Sequence, residues 1–198
     1  MDHDALALVE LGSIARGLRA LDALVKRAPV EILEANLVEP GRYLILFTGG
    51  VAEVDESFKA CLEVGCNWIS DKMMLPLAHP DLLAGIRGRE DIRSADEMDT
   101  LGVIEGSHIP STLEACDRSL KNALVQLAGI RLSGGLGGRA YYIVFGAQHD
   151  VEAAIDIGRE LLSGHDAEHR VECIPRPHEE MVAWLLRRTP FRVSGRGV

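Results

Sequence analysis

This chain says the same thing twice. Leu6-Ala7-Leu8-Val9-Glu10 returns as Leu101-Gly102-Val103-Ile104-Glu105, and at that spacing Ile14, Leu18, Ala20 and Asp22 meet Ile109, Leu113, Ala115 and Asp117. Lys26, Ala28, Val30 and Leu37 then meet Lys121, Ala123, Val125 and Leu132. Past a loop the register slips, and Arg42, Gly49 and Val54 match Arg139, Gly146 and Val151. After one more small slip Pro76 and His79 fall against Pro175 and His178. Solenoid periods run only about 20–50 residues, so a repeat this long is a whole domain. The chain therefore reads as two tandem domains, residues 1–92 and 93–198. A domain of that size buries a modest share of its surface, so the halves are expected to pack together or to oligomerise.

Charge narrows the partners. The net charge is −9, and Arg187-Arg188 with Arg192 and Arg196 make too sparse a basic patch for nucleic acid. No stretch approaches the roughly 20 apolar residues of a membrane span. The start, Met1-Asp2-His3-Asp4, lacks the charged-then-apolar form of a signal peptide. Cys61, Cys66, Cys116 and Cys173 contain no CxxC pair and read as reduced thiols of a cytoplasmic protein.

Each half follows the same local pattern. Residues 6–10 form a short apolar strand, Gly12-Ser13 offers a turn and a cap, and a helix starts at Ile14. Ile14, Leu18, Leu21, Leu24 or Val25, and Ala28 recur at helical steps as one apolar stripe, closed by Pro29. Val30 to Leu37 suggests a second strand, and Glu39-Pro40-Gly41-Arg42 a turn. Tyr43 to Thr48 is almost continuously apolar, which predicts a strand covered on both faces. After Gly49-Gly50 come a second amphipathic helix, a strand near Trp68 to Met74 and a short helix over Pro80 to Ile86. The charged run Gly88 to Thr100 reads as the linker. The second half repeats the order through a helix at 109–123, strands at 125–132 and 139–145, a helix at 150–162 and a strand at 170–174. The tail beyond Pro190 reads as frayed. The predicted class is α/β in the α+β sense, two tandem ferredoxin-like β-α-β-β-α-β domains.

Several of these residues resemble a known family. Ala5 to Glu10, Asp22-Ala23-Leu24-Val25-Lys26, and Val51 to Phe58 after a double glycine are similar to a bacterial microcompartment shell domain. So are Leu101 to Glu105, Asp117 to Lys121, Gly137-Gly138-Arg139 and Ile174-Pro175-Arg176-Pro177-His178. The resemblance covers essentially residues 5–187 and is strongest to the tandem-domain class, including that of propanediol-utilisation compartments. It implies a homotrimer that mimics a hexamer and tiles with other shell proteins, hexamers and pentamers, around encapsulated enzymes, with a pore on the three-fold axis. It places Lys26 and Lys121 at the tile edge together with Arg176 and the turn histidines His79 and His178. In the first half Leu77 stands where that arginine is expected.

The resemblance also implies a pore loop between the second and third strands. Here that loop holds Glu39, Pro40 and Gly41 in the first half and Ser133, Gly134, Gly135, Leu136 and Gly137, followed by Gly138, in the second. Shell proteins of the propanediol type carry a cysteine there for an iron–sulfur cluster. Clusters need thiolates, and neither loop contains one, so no cofactor is expected. A ring of Glu39 carboxylates favours cations.

Plainer readings stand beside these. Lys26 and Lys121 can offset the negative end of a helix dipole, and Glu39 can be a solvated turn residue. The glycine run 134–138 joins two strands rather than opening a helix, so it lacks the context of a phosphate loop. His165, His169 and Cys173 have suggestive spacing, but Gly164 argues against one helix carrying all three, so no metal is expected. No nucleophile, base and orienting group can be assembled, so the chain does not read as an enzyme. The alternative function is a small-molecule-sensing regulatory module of tandem ferredoxin-like domains.

Overall fold

A computed structural model of the protein describes residues 5–87, 99–132, 135–165 and 167–185. Of the expected linker only Asp99 and Thr100 lie within these ranges; the tail beyond Pro190 lies outside them. In the first half the order is β1 (Ala5–Leu11), α1 (Ile14–Arg27), β2 (Glu31–Val38), β3 (Arg42–Gly49), α2 (Val51–Gly65), a 3-10 turn at Cys66–Trp68 and β4 (Ile69–Leu75). The sheet runs β2-β3-β1-β4 with every pairing antiparallel. Each long helix thus joins two strands separated by one from the other unit, the split βαβ arrangement.

The short helix α3 (Pro80–Ile86) follows. The second half then repeats the pattern: β5 (Thr100–Gly106), α4 (Ile109–Asn122), β6 (Gln126–Arg131), β7 (Ala140–Gly146), α5 (Gln148–Gly164) and β8 (His169–Pro175), in a sheet ordered β6-β7-β5-β8. It ends in α6 (Glu179–Leu185), the counterpart of α3, which the sequence reading does not extend to. The chain divides into two compact units. One runs to Ala78 and includes Gly135–Gly138; the other begins at His79 and resumes at Arg139. Within the second unit α3 packs against β6 and α4.

Strand alternation builds the core. Ala5, Ala7, Val9 and Leu11 of β1 join Tyr43, Ile45 and Phe47 of β3 under Ala20, Leu24, Val54 and Cys61 of the helices. Leu6, Leu8, Leu44 and Leu46 alternate with them and are buried too, so the apolar third strand is covered on both faces as its composition requires. In the second unit α6 sends Val182 into a cluster with Leu101, Ala128, Ile143 and Phe145.

One expectation needs correcting. The apolar stripe of α1 is divided: Leu24 is buried with Gly17 and Ala20 and Leu21 packs against the core, whereas Ile14, Leu18 and Val25 are exposed. The reason is Tyr43. A Cβ on Gly17 would lie 2.5 Å from its ring, so only glycine lets the helix settle on this strand, and the helix turns accordingly.

Candidate functional site

Two loops and two helix-turn junctions carry the residues singled out from sequence. The first loop is a tight turn between β2 and β3, whose pairing runs to Val38 opposite Arg42. Gly41 takes a φ of 79°, the left-handed region that a side chain avoids, and a Cβ there would meet open space. Beneath the turn Arg42 Nη1 reaches Glu10 Oε1 at 2.5 Å, with the carboxylate wholly buried. At the repeat-equivalent place Arg139 holds Glu105 at 2.8 Å and Glu168 at 3.3 Å.

Of the second loop, Ser133 and Gly134 lie outside the described residues. Gly135, Gly137 and Gly138 all have positive φ. Gly135 and Gly137 face open space, while Gly138 is pressed on the backbone carbonyl of Glu39, where a Cβ would collide. The two loops named from sequence therefore meet at Glu39 and Gly138, both in the first unit. Glu39 and Pro40 are exposed, and Leu136 is half-buried.

The other group sits at the ends of α1 and α4. Lys26 is in the last turn of α1 and reaches Asp22 at 2.7 Å, both side chains exposed. Lys121 reaches Asp117 Oδ2 at 2.5 Å, but here the carboxylate is buried. Its other oxygen accepts the backbone N–H of His79 at 2.8 Å. His79 and Lys121 are thus joined through an aspartate that in the sequence marks only the repeat and the family motif. His79 and His178 play matching local parts: each ring Nδ1 accepts a backbone N–H two residues on, from Asp81 at 3.2 Å and Glu180 at 3.3 Å. Arg176 is exposed with a φ of 48°, its N–H donating to the Asp99 carbonyl at 2.7 Å. Leu77, its counterpart, is exposed as well. Among the described residues of the second unit, Arg176 and His178 are not drawn into the Asp117 cluster.

The remaining candidates separate. His165 faces Glu114 at 3.6 Å, and the His169 ring sits 2.9 Å from the Ala167 carbonyl. Among the described residues no group of three His, Cys, Asp or Glu could hold a metal ion. Burial pushes the Cys61 thiol up to about 12 and the Cys116 thiol well above its usual value. Both stay protonated and unreactive at neutral pH. Among the described residues no helix is long and apolar enough to cross a membrane.

Comparisons with known proteins agree with this geometry. The BMC domain model matches residues 5–76 and again 100–177, once on each half of the duplication. The bacterial microcompartment shell protein PduT of Citrobacter freundii is 30% identical over 177 residues, covering 89% of this chain and 95% of that protein. The carboxysome assembly protein CcmO of a Synechocystis strain is 26% identical over 190 residues, 89% of this chain and 63% of that protein. A crystal structure of a microcompartment protein from Desulfitobacterium hafniense superimposes with a TM-score of 0.78 at 34% identity, over 90% of this chain and 98% of the other. A fused permuted hexameric shell protein of the RMM microcompartment shares the fold at a TM-score of 0.57 and 19% identity, over 80% and 81% of the two chains. With two family domains on one chain and a full-length shell-protein relative, the chain belongs to the BMC-domain family and is a structural component of a bacterial microcompartment shell.

Proposed function

We propose that three copies of this chain close into a pseudo-hexagonal tile. The tile packs edge to edge with other shell proteins, hexamers and pentamers, around encapsulated enzymes, and its central pore passes small metabolites. The observation that carries this reading is the duplication: two complete family domains per chain supply six domains from three chains, as a closed three-fold ring requires. Lys26, Lys121, Arg176, His79 and His178 are assigned to the edge and its supports. Residues 39–41 and 133–137 are assigned to the pore. The role is structural and selective rather than catalytic, and neither the fold nor the relatives favour a sensing module.

Light scattering after size exclusion, with negative-stain imaging of the same peak, tests the assembly. Three chains of 21.5 kDa give about 65 kDa. A hexagonal particle of that mass that forms sheets is expected; a monomer or dimer that never tiles would overturn the reading. Glu39 is exposed at the tip of its loop, so three copies would make a carboxylate ring favouring cations. Ion permeability across bilayers bearing the protein should lose cation preference in Glu39→Gln, and unchanged selectivity would remove Glu39 from the pore.

A further inference from the structure

The two loops assigned to the pore are unequal in the sequence. The first turns through Glu39-Pro40-Gly41, beyond Val38 and Arg42, the last pair of its ladder. The second is two residues longer, which is why the repeat register slips there. Across residues 38–41 and 132–138 stands one charged side chain, Glu39. The arginines that follow are already engaged, Arg42 by buried Glu10 at 2.5 Å and Arg139 by Glu105 at 2.8 Å. The longer loop thus brings backbone without charge, and the shorter one carries its charge past the end of its ladder.

The glycines show what the longer loop does with its length. Gly135, Gly137 and Gly138 have φ of 81°, 62° and 79°, a region that a side chain avoids. Conformation alone accounts for Gly135 and Gly137, where an added Cβ would meet open space. Gly138 meets a second constraint. A Cβ there would stand 2.3 Å from the Glu39 carbonyl oxygen and 3.4 Å from Pro40 Cδ. Backbone against backbone leaves no flexible side chain to move aside, so either residue can shift only by carrying its loop with it. Gly135–Gly138 accordingly group with the first unit, although Arg139 belongs to the second.

We propose that Gly138 is a positioning residue of the pore. It braces the Glu39 backbone from outside the sheet that carries it, so the uncharged second loop fixes where the carboxylate stands and with it the cation preference. This rests on the pore reading and names what holds the one charged residue of the two loops. The attraction between a carboxylate and a passing cation falls with separation and is screened over about 8 Å at physiological ionic strength. A carboxylate drawn back by even part of that length loses its hold on the ion. If Gly138 served only to let the chain turn, it would behave as Gly135 does.

Reversal potentials across bilayers bearing the full chain read the preference in wild type, Glu39→Gln, Gly138→Ala and Gly135→Ala. Gly135→Ala imposes the same left-handed strain as Gly138→Ala without the collision. Gly138→Ala is expected to lose most of the cation preference that Glu39→Gln loses, and Gly135→Ala to keep it. Added to Glu39→Gln, Gly138→Ala should change nothing further, because it acts through that carboxylate. Unchanged selectivity in Glu39→Gln would overturn the pore reading of Glu39 and this inference together. A shift in Glu39→Gln with wild-type behaviour in Gly138→Ala would overturn the inference alone, as would equal shifts in the two alanine variants. Deleting Gly135 and Leu136 gives the second loop the length of the first and withdraws the brace without a clash. A deletion chain that keeps the wild-type preference would likewise overturn it. The mass of each variant is measured alongside. A Gly138→Ala chain that no longer forms the wild-type oligomer would overturn the assignment, because the glycine would then serve assembly rather than ion preference.

Discussion

The two domains fill the same layer of core with opposite choices. In the first, the strands supply bulk: Leu11 and Tyr43 face each other across β1 and β3, and the helix above must offer Gly17. In the second, the equivalent strand positions are Gly106 and Ala140, and the helix offers Thr112, whose hydroxyl fills the space a Gly106 side chain would take. One layer away the pattern reverses. Ile45 lies in one cluster with Cys61 in the first domain, but Tyr142 reaches so far in the second that a Cβ on Gly158 would be 2.5 Å from its hydroxyl. That hydroxyl is held 2.9 Å from Ser119 Oγ. A duplicated scaffold therefore keeps its topology while exchanging volume in coupled sets, because close-packed interiors do not tolerate a change on one side alone.

The largest expected effect comes from mixing the two solutions. Gly17→Thr imports the second domain's helix residue over the first domain's Tyr43. Overpacking against an aromatic ring that a Cβ already crowds should cost about 3 kcal/mol or more. Adding Tyr43→Ala, the second domain's strand residue, should recover most of the loss, since contacting residues couple by about 0.5–3 kcal/mol. Urea denaturation of the singles and the double measures this, and additive losses would show that the two positions do not form one set.

How much of this was legible in the sequence follows from the same residues. The duplication, the strand order and the buried third strand were readable because repeats and period-two apolar patterns survive without any knowledge of partners. The face of α1 was not readable. Ile14, Leu18 and Val25 look like a core stripe, yet the choice of face depends on Gly17 meeting Tyr43, which lies far along the chain. α6 is as short as α3 but lacks the start signal that makes α3 legible: α3 opens on Pro80, whereas α6 opens on Glu179-Glu180. The loop residues Glu39 and Gly138 were named from a family pattern, and only the fold shows them touching. Asp117, Arg42 and Arg139 are visible in the repeat alignment. Their role was hidden because a matched charged residue looks the same whether it is solvated or buried.

Alkaline pH gives a smaller and graded way to separate the domains. The Cys61 thiol ionises near 9 when exposed and at about 12 when buried in the fold, so its contribution is complete below 9 and is lost as pH rises from there toward 12. A tenfold change in the ionisation constant corresponds to about 1.4 kcal/mol. Burial raises a tyrosine in each domain, Tyr43 in the first and Tyr142 in the second, but in the second Tyr142 and Cys116 also act on each other, so that each ionisation would oppose the other. The second domain should therefore lose native signal at a lower pH than the first. Methyl resonances of Ile45 and Ile104 through a titration report the two separately. Earlier loss at Ile45 would reverse the comparison.

The smallest effect concerns the arginines after each loop. Glu10 is wholly buried and its partner Arg42 is one-quarter exposed, whereas Glu105 and Arg139 are both about one-third exposed. Removing one member of a buried ion pair leaves a desolvated charge, while a solvated pair leaves a carboxylate that water can serve. Arg42→Leu should thus cost about 2 kcal/mol, less than the roughly 3–5 kcal/mol of breaking a fully buried pair, because the guanidinium is partly wet. Arg139→Leu should cost less, since water reaches Glu105 and Glu168 directly. Thermal unfolding of the two variants decides between burial and mere repetition: equal losses would mean that the shared repeat position, not the depth of its glutamate, sets the strength of the pair.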